Sequence, residues 1–511
     1  MARRAVALGL PRLPGLLAGG VVLALTLGTL AAVAWRADGG GLDAADRAAI
    51  RFTLVQAALS AVLSVALAIP VARALARRRF AGRGVLVTLL GAPFILPVIV
   101  AVLGLLATFG RGGIVNAVLA WLGLPPVSIY GLHGVVLAHV FFNLPLAVRL
   151  ILQGWLAIPA ERFRVAASLN GSVFRLLEWP MLRAVVPGIL AVIFLVCLTS
   201  FAVALTLGGG PRATTVELAI YQALRFDFDL GRAAWLAGVQ FALCAAAAFV
   251  AWAVAVPAGF GAGLDRAVRR WDGGRGALIL DIIVVALAAT FLLVPLGMIV
   301  ARGAGGLTEM PASIWAAAGR SVAVAFGSAA LTIALTLAVV LRGGIVAGLS
   351  AALPLAASSL VMGTGLFILV FPFVDPATLA LPVTALVNAA MALPFALRAV
   401  APAMATARAD YGRLAASLGL RGWAALRIAL LPRLRRPLGF ATGLAAALSM
   451  GDLGVVALFA DSGSETLPLA MYRLMGAYRM DAAAGAALLL LALSLGLFWI
   501  FDRGGRTDAA T

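Results

Sequence analysis

The sequence predicts an all-α integral membrane protein of about twelve transmembrane helices, arranged as two parallel repeats of six. Three observations carry this expectation. Hydrophobic residues make up 63% of the 511 and charged residues only 12%, with a mean hydropathy of +1.09. A water-soluble chain could not cover that much apolar surface. The apolar residues also fall in long runs, each near the ~20 residues that cross a bilayer as a helix. Finally, segments of the first half return in the second at a nearly constant offset.

The first run, 14–35, follows "MARR" and has "AAVA" near its end. It is longer than the ~7–15 apolar residues of a cleaved secretory signal, so it reads as a retained signal anchor. Further runs lie at 52–76, 85–109, 132–157, 184–207 and 232–258. Six more follow at 277–300, 318–341, 344–370, 377–401, 436–460 and 481–502.

Every one of the 39 basic residues is Arg. With the N-terminus inside, eleven fall in outside loops: Arg36, Arg47, Arg51, Arg111, Arg212, Arg225, Arg232, Arg302, Arg320, Arg473 and Arg479. The other 28 lie on the cytoplasmic side or its interface. The positive-inside rule therefore puts both termini in the cytoplasm. Spread over short loops in this way, the net charge of +19 is an orientation signal and not a nucleic-acid surface. The absence of Lys excludes a GxxxxGK[ST] phosphate loop and a Schiff-base lysine. Cys197 and Cys244 stand in apolar runs and read as small buried hydrophobes.

The repeats are explicit. "LPLAVRL" from Leu144 returns as "LPFALRA" from Leu393, and "AASL" from Ala166 returns from Ala415, both 249 positions on. Pro180 pairs with Pro432 at 252, and "TVELAIYQ" from Thr215 with "TLPLAMYR" from Thr466 at 251. Chance matches would not hold one offset over such a length. Each copy follows the fourth span of its half, so the repeats are parallel: a fused pseudo-dimer about an axis along the membrane normal. The expected division is a first repeat at 1–263, an Arg-rich cytoplasmic linker at 264–276 and a second repeat at 277–511.

Two matched cytoplasmic segments, about 159–180 and about 404–432, are amphipathic. Small residues, Ala166–Ala167–Ser168 and Ala415–Ala416–Ser417, let another backbone approach. Arginines ring them: Arg162, Arg164 and Arg175 in one copy, Arg413, Arg421 and Arg427 in the other. Such a helix docks in a partner's groove or lies on anionic lipid. Two copies on a pseudo-dimer favour two identical soluble partners.

These segments resemble the Glu-Ala-Ala coupling loops of ABC importer permeases. Arg164 and Arg413 stand at the Glu position, while Ala166 and Ala415 keep the second Ala, with Ala167 and Ala416 after them. Gly419 keeps the Gly. Asn170 replaces it in the first copy, and Asn tolerates the left-handed turn better than most residues. "LAHVFFNLP" (137–145), "LGGGPRATTVELAIYQAL" (207–224) and "SMGDLGVVALF" (449–459) extend the resemblance to the fused permeases of the thiamine and thiamine pyrophosphate transport family. It covers nearly the whole chain. Fused ferric-iron permeases share the architecture. The resemblance implies a type I ABC importer permease in the inner membrane, neither an enzyme nor a cofactor carrier itself. It would work with two copies of an ATPase subunit that bind ATP, and with a periplasmic thiamine-binding protein. An ion-coupled secondary transporter is the alternative from another class. It would carry several intramembrane charges and has no use for two docking segments.

Within the membrane Asp452 stands out, in the middle of the eleventh span between Gly451 and Gly454. A carboxylate there costs about 2.5–3.5 kcal/mol on insertion scales and usually lines a pathway, structural packing being the other reading. The repeat places Ser200 at the equivalent position of the fifth span. His139, beside "VFFNLP", reads as a core or pathway hydrogen-bonder. His133 and His139 are six apart with no Cys or carboxylate beside them, so no metal site is expected. Asp281 reads as an interface anchor at the start of the seventh span. The outside segment 208–232, with Glu217, Asp227 and Asp229, reads as a surface for a binding protein or as a solvated loop helix.

Overall fold

The computed structural model describes residues 13–37, 42–91, 95–169, 171–254 and 274–505. Among these residues the chain is all helical, with no strand. Eleven helical segments are long and apolar enough to cross a membrane, or twelve when one bent pair counts as a span. Helices are what lipid demands, because each backbone N–H and C=O is satisfied within its own segment.

The first repeat supplies α1 (Leu13–Arg36), α2 (Ala44–Arg77), α3 (Arg83–Leu89), α4 (Val98–Phe109), α5 (Ile114–Trp121) and α6 (Leu132–Leu156). It continues with α7 (Ala160–Ser168), a π turn at Phe174–Glu178, α8 (Trp179–Leu198), α9 (Phe201–Leu207), α10 (Val216–Arg225) and α11 (Leu230–Ala253). The second repeat supplies α12 (Arg275–Gly306), α13 (Ala312–Arg342), α14 (Gly344–Ala357), α15 (Ser359–Val370) and α16 (Ala380–Ser417). It ends with α17 (Gly422–Ala424), a π turn at Ala425–Leu430, α18 (Leu431–Met450), α19 (Gly454–Phe459), α20 (Leu467–Gly476) and α21 (Met480–Gly505). The expected linker 264–276 lies outside the described residues as far as 273.

Four spans differ from simple apolar rods, and the first is the run 85–109, which is split between α3 and α4, so that the apolar segment runs over Val98–Trp121 instead. The runs 184–207 and 436–460 are each broken, between α8 and α9 and between α18 and α19. The run 344–370 bends by 86° between α14 and α15. There Ser358 takes φ 39, and its Oγ accepts the Val361 N–H at 3.3 Å. The fourth spans differ between repeats. α16 runs unbroken as far as Ser417, whereas α6 stops and α7 restarts after Pro159. The position matching Pro159, 249 on, is Arg408. Proline removes an N–H and disfavours helix at the residue before it; arginine does neither.

The helices form two compact units, and neither is a repeat. One comprises Met1–Gly41, Ala219–Ala245 and Gly305–Thr511. In it α1, from the first repeat, packs on α13, α14 and α15 of the second. Glycines bring the backbones together: Gly15 lies against Ala338 and Arg342, and a methyl added at Gly19 would sit 2.6 Å from Val346 Cγ1. This is the small-xxx-small contact of membrane helices. A methyl at Gly365 of α15 would lie 2.5 Å from Thr29 O. The other unit comprises Leu42–Leu218 and Ala246–Ala304. In it α12, from the second repeat, takes the matching role. A methyl at Gly104 of α4 would lie 2.7 Å from Pro295 O, and the Phe141 and Phe291 rings meet edge to face at 5.8 Å. Asp281 is buried and ion-paired at 2.6 Å with Arg78, just past the end of α2. The first span of each repeat thus packs among helices of the other.

Candidate functional site

The second expected coupling segment closes as a Schellman turn. Gly419 takes φ 69, Leu420 N–H donates to Ala415 O at 2.9 Å, and Gly419 N–H donates to Ala416 O at 3.1 Å. The left-handed residue lets the last carbonyls of α16 find donors. The first copy makes the same long bond, from Gly171 N–H to Ala166 O at 3.0 Å. Asn170 lies outside the described residues, as does the side chain of Ala167.

The two expected docking alanines face inward. Ala166 is 3% exposed and packs with Phe163 and Val173. Ala415 is 1% exposed and packs with Ala425, Leu426 and Leu430. Their small size lets the helix lie close on its own π turn. The outward face carries Arg164, Arg413 and Ala416 together with apolar side chains that sequence reasoning passed over. Val165, Leu169 and Leu176 are exposed in the first copy, and Leu414, Leu418 and Ile428 in the second. These triads match at offsets of 249, 249 and 252. The i, i+4 spacing of Val165 and Leu169 was the signal that could have found them. Large apolar side chains exposed at matched places mark an interaction surface more than chance exposure does.

The broken spans hold the polar residues of the membrane interior. The first break falls at Thr199–Ser200 and the second at Gly451–Asp452–Leu453. Ser and Asp compete for backbone hydrogen bonds, and Gly is a poor helix former, so a break needs no proline here. Ser200 Oγ lies 2.6 Å from His139 Nε2 of α6, and His139 Nδ1 lies 3.2 Å from Ser60 Oγ of α2. Gln56, also on α2, donates to Cys197 O at 2.9 Å. Asn143 donates to His139 O at 2.9 Å and to Cys197 Sγ at 3.3 Å.

In the second repeat the Asp452 carboxylate meets the N–H groups of Gly454, Val455 and Val456 and the Asn388 amide. Its Oδ2 is buried and has no hydrogen-bond partner among the described residues. Asn388 also donates to Ser449 Oγ at 3.1 Å. His139 and Asn388 are 249 apart, while Ser200 and Asp452 are 252 apart. One arrangement therefore occurs twice: a polar side chain of the fourth span faces the break in the fifth. It pairs a histidine with a serine in the first repeat and an asparagine with an aspartate in the second. Irregular backbone at membrane depth persists only where protein buries it or where it lines a watery cavity. Asn388 was legible by carrying the offset of 249 from His139.

The outside segments are tied to the second span of each repeat. Val216 N–H donates to Thr53 Oγ1 at 2.9 Å, and Leu467 N–H donates to Ser321 Oγ at 2.7 Å. Glu217 is buried, Asp227 pairs with Arg232 at 3.3 Å, and Asp229 accepts the Arg232 N–H at 2.9 Å. Among the described residues no group of three His, Cys, Asp or Glu could hold a metal ion.

No protein-family model matches the chain. It is 41% identical to the thiamine transport system permease protein ThiP of Brucella abortus over 513 residues, covering 95% of this chain and 94% of that one. Against the protein of the same name from Escherichia coli it is 39% identical, covering 96% of each. The molybdenum transport system permease protein ModB of Azotobacter vinelandii is 32% identical over 201 residues, 38% of this chain but 87% of that protein. A full-length match to the first two, and a match of under half the chain to a protein of about one repeat's length, fit a doubled permease. The chain belongs to the thiamine transport system permease family.

Proposed function

We propose that this chain is the membrane-spanning subunit of an ATP-binding-cassette importer that carries thiamine or its phosphates into the cytoplasm. The observation that carries the reading is identity near 40% with thiamine permeases along almost the entire chain. ATP hydrolysis belongs to a separate subunit, since this chain has no lysine for a phosphate loop. Two copies of that subunit dock, one on each exposed apolar triad with its arginine rim. A periplasmic thiamine-binding protein delivers cargo on the opposite side. The chain is multi-pass in the inner membrane with both termini in the cytoplasm.

Closure of the ATPase pair draws the two coupling segments together and drives alternating access. On the path, Asp452 with its free Oδ2 faces a cargo whose thiazolium ring carries a fixed positive charge. A carboxylate offsets part of the cost of taking that charge out of water. Asn388 offers a neutral hydrogen-bonding group beside it, and Ser200 and His139 offer neutral groups at the matching break of the first repeat.

The test is uptake of radiolabelled thiamine by vesicles holding this chain with the ATPase and the binding protein. Saturable, ATP-dependent thiamine uptake is expected. Transport of ferric iron without thiamine would overturn the substrate assignment and leave the architecture standing.

A further inference from the structure

We propose that Arg73 and Glu178 are positioning residues that tie the first coupling segment to α2, and that the second repeat makes the same tie with an apolar contact. This rests on the importer reading above. Glu178 ends the π turn of the first coupling segment and its side chain is 0% exposed. Arg73 Nε of α2 donates to its Oε2 at 2.8 Å. The same guanidinium sits 5.9 Å from the ring of Phe174, at the start of that π turn. One arginine thus grips both ends of the turn.

The repeat shows what this replaces. α2 and α13 align at an offset of 268, with Ser60 on Ser328, Leu63 on Leu331 and Val71 on Val339. At that offset Arg73 becomes Leu341, and at 252 Glu178 becomes Leu430. Leu341 and Leu430 are both buried in one apolar cluster. Two chemistries therefore fill the same place. A buried ion pair is weak evidence for stability, because replacing both members with apolar residues is often neutral, whereas removing one is costly. The second repeat shows that an apolar version is compatible with this fold.

What the tie transmits follows from the rest of α2. Thirteen residues toward the other end, about 20 Å along a helix axis, Ser60 contacts His139, and His139 in turn contacts Ser200 at the break in the fifth span. Gln56 holds the Cys197 carbonyl beside the same break. α2 is thus a rod gripped by the coupling segment at one end and by the broken span at its middle. In the second repeat α13 runs from Leu341 to Thr332, which donates to Ala389 O at 3.4 Å, next to Asn388.

The experiment reconstitutes the full chain with its ATPase and binding protein and measures ATP hydrolysed per thiamine taken up. Arg73→Leu and Glu178→Leu each remove one member of the pair that ties α2 to the π turn. Each should raise that ratio roughly tenfold. The double variant places leucine at both positions, as in the second repeat, and should return the ratio close to that of the unaltered chain. A purely structural role would lower the amount of assembled complex and leave the ratio unmoved. Glu178→Gln tests the charge if Glu178→Leu does not reach the membrane. Single variants with an unaltered ratio, or a double variant no better than the singles, overturn the proposal. If the unaltered chain stimulates no thiamine-linked hydrolysis, the importer reading fails and takes this inference with it.

Discussion

The matched apolar triads allow a quantitative test of docking. Leu414, Leu418 and Ile428 are 55%, 65% and 62% exposed, so a partner that covers them removes more than half of each side chain from water. Full burial of a Leu or Ile side chain contributes ~1.5–3 kcal/mol. The part still exposed is therefore worth ~1–2 kcal/mol per residue on that scale. Replacing all three with Ala should weaken ATPase binding at this segment by ~3 kcal/mol, more than a hundredfold in Kd. The assay is surface plasmon resonance of the ATPase subunit on the detergent-solubilised permease, with thermal unfolding run in parallel. Exposed substitutions of this kind shift stability by only ~0.5 kcal/mol, so the unfolding temperature should hold. The first-copy triad, Val165, Leu169 and Leu176, should behave alike, because it stands at the same repeat positions with comparable exposure. Binding as tight as that of the unaltered chain, with both triads replaced, refutes the argument that these side chains form the docking surface.

Other consequences are as concrete. Gly365→Ala puts a methyl 2.5 Å from Thr29 O, and such overpacking costs ~1–3 kcal/mol. Gly28→Ala meets nothing within 4 Å and should be neutral or slightly stabilising through helix propensity. Thermal unfolding in detergent compares them, and equal midpoints would contradict the packing of α1 on α15. Asp452→Asn keeps the size and removes the charge. It should reduce thiamine uptake in vesicles while membrane insertion and ATPase assembly stay normal; a rate equal to that of the unaltered chain would make Asp452 structural. Ala415→Leu should disturb the coupling segment from within, since its methyl is buried against Ala425, Leu426 and Leu430. A loss of unfolding temperature is the expected sign, and an unchanged temperature with weakened ATPase binding would instead mean that Ala415 faces the partner.

The sequence by itself determined the membrane class, most of the apolar spans and the doubling. These follow from quantities local to the chain. Apolar runs long enough to cross lipid must be helical there, and an offset near 250 is visible without any coordinates. The similarity to thiamine permeases was legible for the same reason, in short stretches such as 207–224 and 449–459. The tertiary structure decided which residues meet. Lipid tails are as apolar as leucine, so hydropathy does not say which helices associate; small residues and polar contacts do. The exchange of α1 and α12 between repeats depends on Gly15, Gly19, Gly104 and Gly365 meeting particular neighbours, and nothing in their own segments names those neighbours. Asp452 and Ser200 were legible as equivalent residues, but their setting at helix breaks, facing Asn388 and His139, is a property of two spans packed together. The alanines Ala166 and Ala415 were legible as small residues, but their burial against the chain's own π turns was not, because only the folded π turn shows which face of the helix it covers.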